Sequence, residues 1–451
     1  MRRRLVAVAA VLAALIVVYV IASVPPSAIA TPAGQVTAVS SVVRACAPSG
    51  KLAVTAVPAS GDESGSAMLS AVAARGTATT LTTTLTTSLV SAPSASAATE
   101  VSASGAMAEG LAAEQANAAG IGEVRCTDPG SDLWFVGTGQ AAGASAIKLY
   151  LVNTDALAAT VNITIMTDSG MVDDEAMSGI TVPPDQSVTE SLAPAVTGSE
   201  VVALNVAAVA GRVAAAVYEG PAGSGTWLPE ASAPSTSVII PGLSAASSAA
   251  RLFIAVPGQT NATVRVMALT PQGRFQPFGS APISASASAA SEFSLSSLGT
   301  SASAIELTSN VPITAAVLVS GTGLGAVTSA VAPVSEQGVV AGNPTAGGYA
   351  TSVLVSAPGA TARVAISTVP ATSSTDVSVP SGRTMSVSVA APKGTKGSFA
   401  IVVTPLAGSG PVYAARVVTS GSTVDSIIPL ASALTSVTLP AVRNSYTAVL
   451  P

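Results

Sequence analysis

An internal repeat of about 100 residues restricts the fold of this chain more than any other feature of its sequence. Each copy opens with an apolar segment, a short turn and a second segment that alternates between apolar and polar residues. These paired segments cover residues 148–153 and 161–165, 251–256 and 264–267, and 352–356 and 364–366. The turns at Pro257 and Pro358 are 101 residues apart. The repeat therefore predicts three domains, each long enough for a hydrophobic core.

The segments within each copy alternate with the period of two that is typical of a half-buried β-strand. Residues 385–389 are the clearest example, because serine takes every second position there. About six or seven such segments per copy, separated by Gly and Pro turns, predict an all-β fold of antiparallel sandwiches of immunoglobulin or fibronectin type. A β-propeller with blades of about 50 residues is the alternative. The lack of convincing helical periodicity after the N-terminal segment argues against an α/β enzyme fold.

We expect β-sandwich modules at residues 146–243, 249–335 and 350–430, followed by a C-terminal extension at 431–451. Before them, residues 31–145 form a β region that contains both cysteines and an Ala-, Ser- and Thr-rich segment between Ser64 and Gly120. Around residues 79–89, leucines four apart suit a helix, whereas the many threonines favour a strand. The pattern leaves both structures open for that segment.

Three arginines, Arg2 to Arg4, precede an unbroken apolar run from Leu5 to Val24. Twenty helical residues at ~1.5 Å each span the ~30 Å core of a bilayer, and the positive charges hold residues 1–4 in the cytoplasm. We therefore expect residues 5–24 to be a membrane anchor, with the bulk of the chain outside. The alternative is a signal peptide that is cleaved near Ala30, which also exports the rest.

Export makes the two cysteines, Cys46 and Cys126, interpretable. A chain with a single pair of cysteines in an oxidising compartment is expected to join them in a disulfide. The alternative is two buried free thiols.

Composition excludes several classes of function. Histidine is absent, which removes Ser-His-Asp triads and zinc sites that need imidazole. Charged residues make up only 9% of the chain, and the net charge is −5, so the basic surface that binds nucleic acid is missing. We expect no metal or other cofactor.

Motifs that resemble catalytic or binding sites have simpler interpretations. The glycines Gly137, Gly139 and Gly143 have the wrong spacing for a dinucleotide fingerprint and fit a hairpin or loop. Ser145 and Lys148 match S-x-x-K, but on a strand three positions place the two side chains on opposite faces.

Carboxylates could act in pairs without histidine, as in glycoside hydrolysis. The adjacent acids at residues 173–175 and 62–63 are more typical of exposed turns. Of the two tryptophans, Trp134 lies in an apolar strand and is expected in the core. Trp227 has a less certain setting, and we keep it as a possible ligand contact that stacks on sugar rings.

Several short motifs together resemble an actinobacterial envelope family of unknown function. They are Cys126, the segment Asp132-Leu133-Trp134-Phe135-Val136-Gly137, residues 149–153, residues 182–184, Thr226-Trp227-Leu228-Pro229, and residues 238–242. Members typically pair an N-terminal membrane segment with a long β-rich exported region, often with two adjacent tryptophans where this chain has Leu133-Trp134. The resemblance implies location and architecture, and it assigns no catalytic residue.

These observations predict a non-enzymatic, membrane-anchored protein that serves as a scaffold or binding surface in the cell envelope. Its expected partners are the membrane, through the run from Leu5 to Val24, and cell-wall glycan or envelope proteins. Carbohydrate binding is the second hypothesis, favoured if Trp227 is exposed, whereas a buried Trp227 favours the scaffold. A carboxylate-dependent hydrolase is the third, and it requires two acids about 5 to 10 Å apart in a cleft.

Overall fold

The computed structural model describes the greater part of the chain. The described residues are 2–23, 34–48, 50–58, 64–74, 82–85, 89–92, 97–117, 122–140, 146–221, 225–245, 249–295, 298, 301–320, 325–345, 348–370 and 374–440. The chain divides into a small unit, Met1–Thr37 with Val437–Pro451, and a large unit, Ala38–Ser436.

The small unit contains the one α-helix of the described residues, α1 at Arg2–Ser23. Its described large apolar side chains, Val6 and those from Val11 to Tyr19, are exposed. Among the residues described, no helix combines the length and the hydropathy that crossing a bilayer demands. The unit also includes most of a two-stranded sheet, formed by β1 (Gln35–Ala38) and β35 (Ser436–Leu439).

The large unit begins with an N-terminal region of two sheets. Its strands are β2 (Ser41–Cys46), β3 (Lys51–Thr55), β4 (Gly65–Ala74), β5 (Thr82–Leu85), β6 (Leu89–Ala92), β7 (Ala98–Gly105), β8 (Ala112–Ala116) and β9 (Val124–Arg125), with a 3₁₀ turn at Ala106–Ala108. One sheet has the order β6-β3-β8-β9. The other has the order β2-β7-β4, with β5 paired to β4, and a short parallel pairing of β4 with β15 joins it to the second sheet of repeat 1. The segment that the sequence left open is therefore extended at β5 and β6, as its threonine content favoured.

Three repeats follow, and all are built from antiparallel strands. Repeat 1 contains β10 (Asp132–Thr138), β11 (Ile147–Asn153), β12 (Ala159–Thr167), β13 (Gly170–Val172), β14 (Ile180–Val182), β15 (Gln186–Ser191), β16 (Val201–Ala210), β17 (Ala214–Glu219) and β18 (Thr226–Leu228), with a 3₁₀ turn at Glu175–Met177. Repeat 2 contains β19 (Ser235–Leu243), β20 (Ala250–Val256), β21 (Ala262–Thr270), β22 (Gly273–Phe275), β23 (Ile283–Ala285), β24 (Ala289–Ser294), β25 (Ser303–Val319) and β26 (Ala326–Ser329). Repeat 3 contains β27 (Gly338–Pro344), β28 (Tyr349–Ala357), β29 (Ala362–Val369), β30 (Thr375–Val379), β31 (Arg383–Ser388), β32 (Ser398–Pro405), β33 (Tyr413–Ser420) and β34 (Thr423–Pro429).

The three repeats share one strand order. Their first sheets read β10-β16-β12-β13, β19-β25-β21-β22 and β27-β32-β29-β30. Their second sheets read β18-β17-β11-β15, β26-β25-β20-β24 and β34-β33-β28-β31. The first strands begin at residues 132, 235 and 338, at equal intervals of 103 residues. The repeat seen in the sequence thus corresponds to a repeat in strand pairing.

The strand pairing moves the predicted domain boundaries. The first strand of each repeat, β10, β19 or β27, pairs with a later strand of its own repeat, so each repeat begins before the expected positions 146, 249 and 350. The sequence placed Trp134 in an apolar strand but did not assign β10, β19 or β27 to a repeat, because a poorly patterned connection separates each of them from the stronger motif that follows. In repeat 2, β25 is one strand of 17 residues that contributes to both sheets, where the sequence suggested two separate strands.

A central strand of the second sheet of each later repeat, β20 or β28, is buried on both faces. In β20, Leu252 and Ile254 belong to the core of repeat 2, whereas Phe253 and Ala255 belong to the core of repeat 1. In β28, Val353 and Val355 pack inside repeat 3, and Leu354 packs into the core of repeat 2. This burial explains why these segments read as continuous apolar runs, since neither face meets solvent.

Apolar contacts also join the N-terminal region to both ends of the repeat series. Ala45, Val72 and Ala98 pack against Val152 and Ala214 of repeat 1. Ala112 packs with Val339 and Val402 of repeat 3. Within the large unit, the N-terminal region and the three repeats therefore form a closed circuit of contacts.

Candidate functional site: a polar cleft between the N-terminal region and repeat 3

A cleft of about 330 Å³ lies where β3 and β8 of the N-terminal region meet β27 and β33 of repeat 3. Strand alternation places its side chains, because successive residues point to opposite faces. Glu114 of β8 points toward repeat 3, whereas the next residue, Gln115, accepts a hydrogen bond from Ala47 N–H at 2.7 Å on the other side. The other polar groups of the lining include Lys51, Glu123, Tyr349, Ser398, Asp425 and Ser426.

Glu114 joins the two sides of the cleft through its carboxylate. Oε1 accepts a hydrogen bond from Ala341 N–H at 2.7 Å, and Oε2 accepts one from Gly342 N–H at 2.8 Å. Burial raises the pKa of Glu114 to about 7, and the charge of Glu123 adds to that rise, while Arg416 and the two backbone N–H groups oppose it. This carboxyl therefore changes charge near neutral pH.

Arg416 lies beside the cleft and is completely buried. Its Nη2 donates to Glu123 Oε2, and its Nη1 donates to Ser426 Oγ at 2.9 Å. Glu123 comes from a loop 293 residues earlier in the chain, so the ion pair joins the N-terminal region to repeat 3. A buried guanidinium without a carboxylate partner would be strongly unfavourable, which makes Glu123 a structural requirement for Arg416.

Gly342 allows this close approach. A Cβ at this position would lie 3.3 Å from Glu114 Oε2 and 3.4 Å from Glu123 Oε1. The two carboxylate oxygens therefore lie within about 7 Å of each other, as the sum of these two distances requires. This upper limit is compatible with the separation of a catalytic carboxylate pair, but both acids are already bound to partners across the interface.

A second buried acid, Glu219, lies in repeat 1 beside the glycine-rich segment. Its Oε2 accepts hydrogen bonds from Thr138 Oγ1 at 2.6 Å and from Thr138 N–H at 3.4 Å. Burial raises the pKa of Glu219 to about 8 against the effect of these bonds. A Cβ at Gly137 would lie 2.5 Å from Glu219 Oε1, so Gly137 makes room for this side chain. The described part of the glycine motif is the end of β10 and packs against an acid; residues 141–145 lie outside the described residues.

With this geometry established, sequence comparison identifies the chain. Residues 82–390 match a family of unknown function, DUF5719. The chain belongs to the DUF5719 family. Comparisons with curated proteins and with solved structures found no significant match. The DUF5719 match includes Glu114, Glu123 and Glu219 and ends before Arg416.

The disulfide predicted from the sequence is present. Cys46, at the end of β2, and Cys126, just after β9, are bonded and buried. The bond lies inside the N-terminal region, where Cys126 N–H also donates to Ala113 O at 2.9 Å.

Trp227 does not have the exposed setting that a ligand contact needs. It is 4% exposed and packs against Tyr218, with ring centroids 4.9 Å apart, and Tyr150, at 5.6 Å. Because its apolar faces are covered by repeat 1 and by Val124, no flat surface is available for a sugar ring. Trp134 is also buried, as its apolar strand predicted.

The other motifs do not converge on a site. Asp174 caps the 3₁₀ turn by accepting from Ala176 N–H at 3.0 Å, and residues 173–175 lie away from the cleft lining. Lys148 is exposed, while its proposed partner Ser145 and the acids at 62–63 lie outside the described residues. Within the described ranges, no three His, Cys, Asp or Glu side chains are grouped to hold a metal ion.

The residues of the cleft were not singled out from the sequence. One signal was present: Glu114 and Arg416 are charged residues inside strands whose neighbours are mostly Ala and Val, in a chain with few charges. Such residues need a buried partner. The partners of Glu114 lie 227 and 228 residues away and the acid that pairs with Arg416 lies 293 residues away, which strand periodicity alone does not predict.

Proposed function

We propose that this DUF5719 protein is an exported, non-enzymatic scaffold or binding protein of the cell envelope. In this proposal each pair of sheets is a β-sandwich module, and the modules serve to hold a fixed surface rather than to carry out a reaction. Its partners are cell-wall glycan or envelope proteins.

The burial of the central strands β20 and β28 on both faces carries the proposal. A module that shares its core with its neighbour cannot move independently of it, because each rearrangement would expose apolar surface at about 25 cal/mol per Å². Phe253 and Leu354 make such contacts at the two junctions between repeats. A rigid series of modules is better suited to a scaffold than to an enzyme whose domains must open and close.

The buried charges support the same interpretation. Glu114 and Glu123 use their oxygens to bind the neighbouring module. At the other side of the N-terminal region, Arg44 donates to Leu111 O at 3.0 Å and pairs with Asp128. These groups stabilise contacts within and between modules, so a carboxylate-dependent hydrolase is the less favoured proposal.

Two features support export. The disulfide between Cys46 and Cys126 is of a kind that persists in oxidising compartments. The apolar run from Leu5 to Val24 follows three arginines, which is typical of an anchor or a signal sequence. An uncleaved anchor and cleavage near Ala30 both remain part of the proposal.

Labelling of intact cells tests the location. An epitope tag at the C-terminus should be reached by an impermeant probe, while a cytoplasmic marker protein should not be labelled. N-terminal sequencing of the mature protein then separates anchorage from cleavage. A tag that is labelled only after lysis contradicts export. Capture of partners from solubilised envelope, with a disulfide-free variant as the control, tests the scaffold role.

Carbohydrate binding is the second candidate, and the polar cleft favours it. Sugar hydroxyls both donate and accept hydrogen bonds, so they complement a lining that holds carboxylates, serines and a lysine. Tyr349, which is 46% exposed, offers a ring at the edge of the cleft. Binding of isolated cell-wall glycan should fall in Tyr349→Ala but not in Tyr19→Ala, which changes a tyrosine outside the cleft lining. Equal binding by both variants would exclude this role for the cleft.

A further inference from the structure

A shallow groove of about 520 Å³ lies where repeat 2 meets repeat 3, away from the polar cleft. It is lined by Arg274 and Arg383 together with the backbone of Gly273, Pro358, Gly359, Ser381 and Gly382. Glycines leave the groove open because they present no side chain. The two guanidinium groups are therefore its main chemical feature.

Hydrogen bonds across the junction hold both arginines in place. Arg274 of β22 donates through Nη2 to Pro358 O of repeat 3. Arg383 of β31 donates through Nη1 to Pro271 O of repeat 2 at 3.1 Å. Each arginine thus reaches from its own repeat to the other one, and each keeps further N–H donors.

The two side chains line the same groove. A Cβ on Gly382 would be 3.1 Å from Arg274 Nε, so the Arg274 side chain passes over the residue that precedes Arg383. One carboxylate, Glu306, faces the pair, with its Oε2 3.0 Å from Arg274 Nη2. Two cations against one anion leave an excess of positive charge in this groove, although the chain as a whole has a net charge of −5.

The repeated strand order shows that the fold does not require these arginines. Met171 is the second residue of β13, where Arg274 is the second residue of β22. Gln186 and Ala289 begin β15 and β24, where Arg383 begins β31. Met171, Gln186 and Ala289 carry no charge, so the arginines are not a shared feature of the repeats.

We propose that this groove binds an oxyanion, a phosphate or a carboxylate, carried by a linear envelope polymer. Paired guanidinium groups bind both kinds of oxyanion through charge-assisted hydrogen bonds. The inference adds a chemical class of partner to the scaffold proposed above and rests on that proposal only for the location of the polymer.

Binding of fluorescent polymers to the full-length, detergent-solubilised protein tests the inference. The probes are a linear polyphosphate, an oligogalacturonate and, as a neutral control, a dextran of similar length. We expect one or both anionic probes to bind and the dextran not to bind. Binding by only one of them identifies the source of the oxyanion. Affinity should fall as salt is added, because the groove is open to solvent.

Two variants locate the site. Arg274→Ala and Arg383→Ala should each weaken binding about tenfold, which corresponds to about 1.4 kcal/mol. The matched control, Arg265→Ala, removes the same charge from an exposed position on β21 outside the groove and should bind as the wild type does. Melting curves establish that each variant is folded. If Arg383→Ala is not folded, Arg383→Gln is used in its place.

Three outcomes would overturn the inference: no anionic probe binds, the groove variants bind as tightly as the wild type, or Arg265→Ala loses as much affinity as they do. If one of these outcomes is found but the intact protein still captures envelope components, the oxyanion site is wrong and the proposed scaffold function stands. If the intact protein captures no envelope component either, the scaffold function is also contradicted, by a separate measurement.

Discussion

At the scale of single residues, the buried ionisable groups determine where this protein depends on specific chemistry. In a chain with 9% charged residues, Glu114, Glu219 and Arg416 are nevertheless in the interior. Each is held by hydrogen bonds from a different strand or repeat. The titration of the two acids, and the partners of all three groups, therefore affect stability more than surface charges do.

Glu219 makes stability depend on pH. The folded protein keeps the proton of this carboxyl up to about pH 8, whereas the unfolded chain releases it near pH 4.5. The contribution of Glu219 to the free energy of unfolding is therefore fully present below pH 4.5 and is lost as pH rises toward 8. At ~1.4 kcal/mol per pKa unit, the loss is at most about 5 kcal/mol. Glu219→Gln should flatten this part of the curve in urea unfolding between pH 5 and 9. An unchanged slope would show that Glu219 is ionised in the folded protein.

The pair of Arg416 and Glu123 makes a second prediction. Glu123→Gln removes the carboxylate from a guanidinium with no exposure and should lower the free energy of unfolding by about 3 to 5 kcal/mol. Adding Arg416→Met should restore most of that loss, because no unpaired charge then remains. Asp155→Asn breaks the exposed pair with Arg212 and should change stability by less than about 1 kcal/mol. Equal losses in the two single variants would refute the argument.

At the scale of strands, the sequence predicted the type of element but not all of its partners. Alternation and turn residues identified many of the longer strands, among them β11, β12, β20, β21, β28 and β29, and the period of the repeat. They did not identify β10, β19 and β27 as the first strands, since pairing with β16, β25 and β32 is non-local. Nor did they predict the cleft, whose side chains meet only because the circuit of contacts closes. The disulfide was predictable because the chain has only two cysteines.

Gly242, near the end of β19, tests how closely two repeats approach. Its φ of +101° disfavours any side chain, and a Cβ would lie 2.8 Å from both Ala415 Cβ and Ile427 Cγ2 of repeat 3. Gly242→Ala should therefore destabilise the protein by more than about 1 kcal/mol. Gly258→Ala, in a turn with nothing within 4 Å and no positive φ, is the matched control and should be close to neutral. Thermal unfolding compares the two; similar melting temperatures would mean that the repeats adjust without cost.

At the scale of the whole large unit, the disulfide closes the region that joins the two ends of the repeat series. Cys46 and Cys126 are separated by 80 residues, so the bond restricts a long loop in the unfolded chain. Replacing both with Ser should lower the free energy of unfolding by about 4 kcal/mol in the chain-entropy model. Unfolding in urea measures this loss, and wild-type protein unfolded with a reductant should match the variant. A loss below about 1 kcal/mol would show that the segment between the two cysteines is already restricted in the unfolded chain without the disulfide.

Closure of the contacts between the N-terminal region and repeat 3 has a consequence for how such a chain changes in evolution. An open-ended series tolerates gain or loss of a unit at its terminus, because only one neighbour is affected. Here Ala112 of the N-terminal region packs against Val339 and Val402 of repeat 3. This contact requires that the number of repeats between them brings repeat 3 back to the N-terminal region. Duplicating or deleting one of them would separate these surfaces and leave Arg416 without its acid, so relatives that keep this junction should differ in loop length and not in domain number.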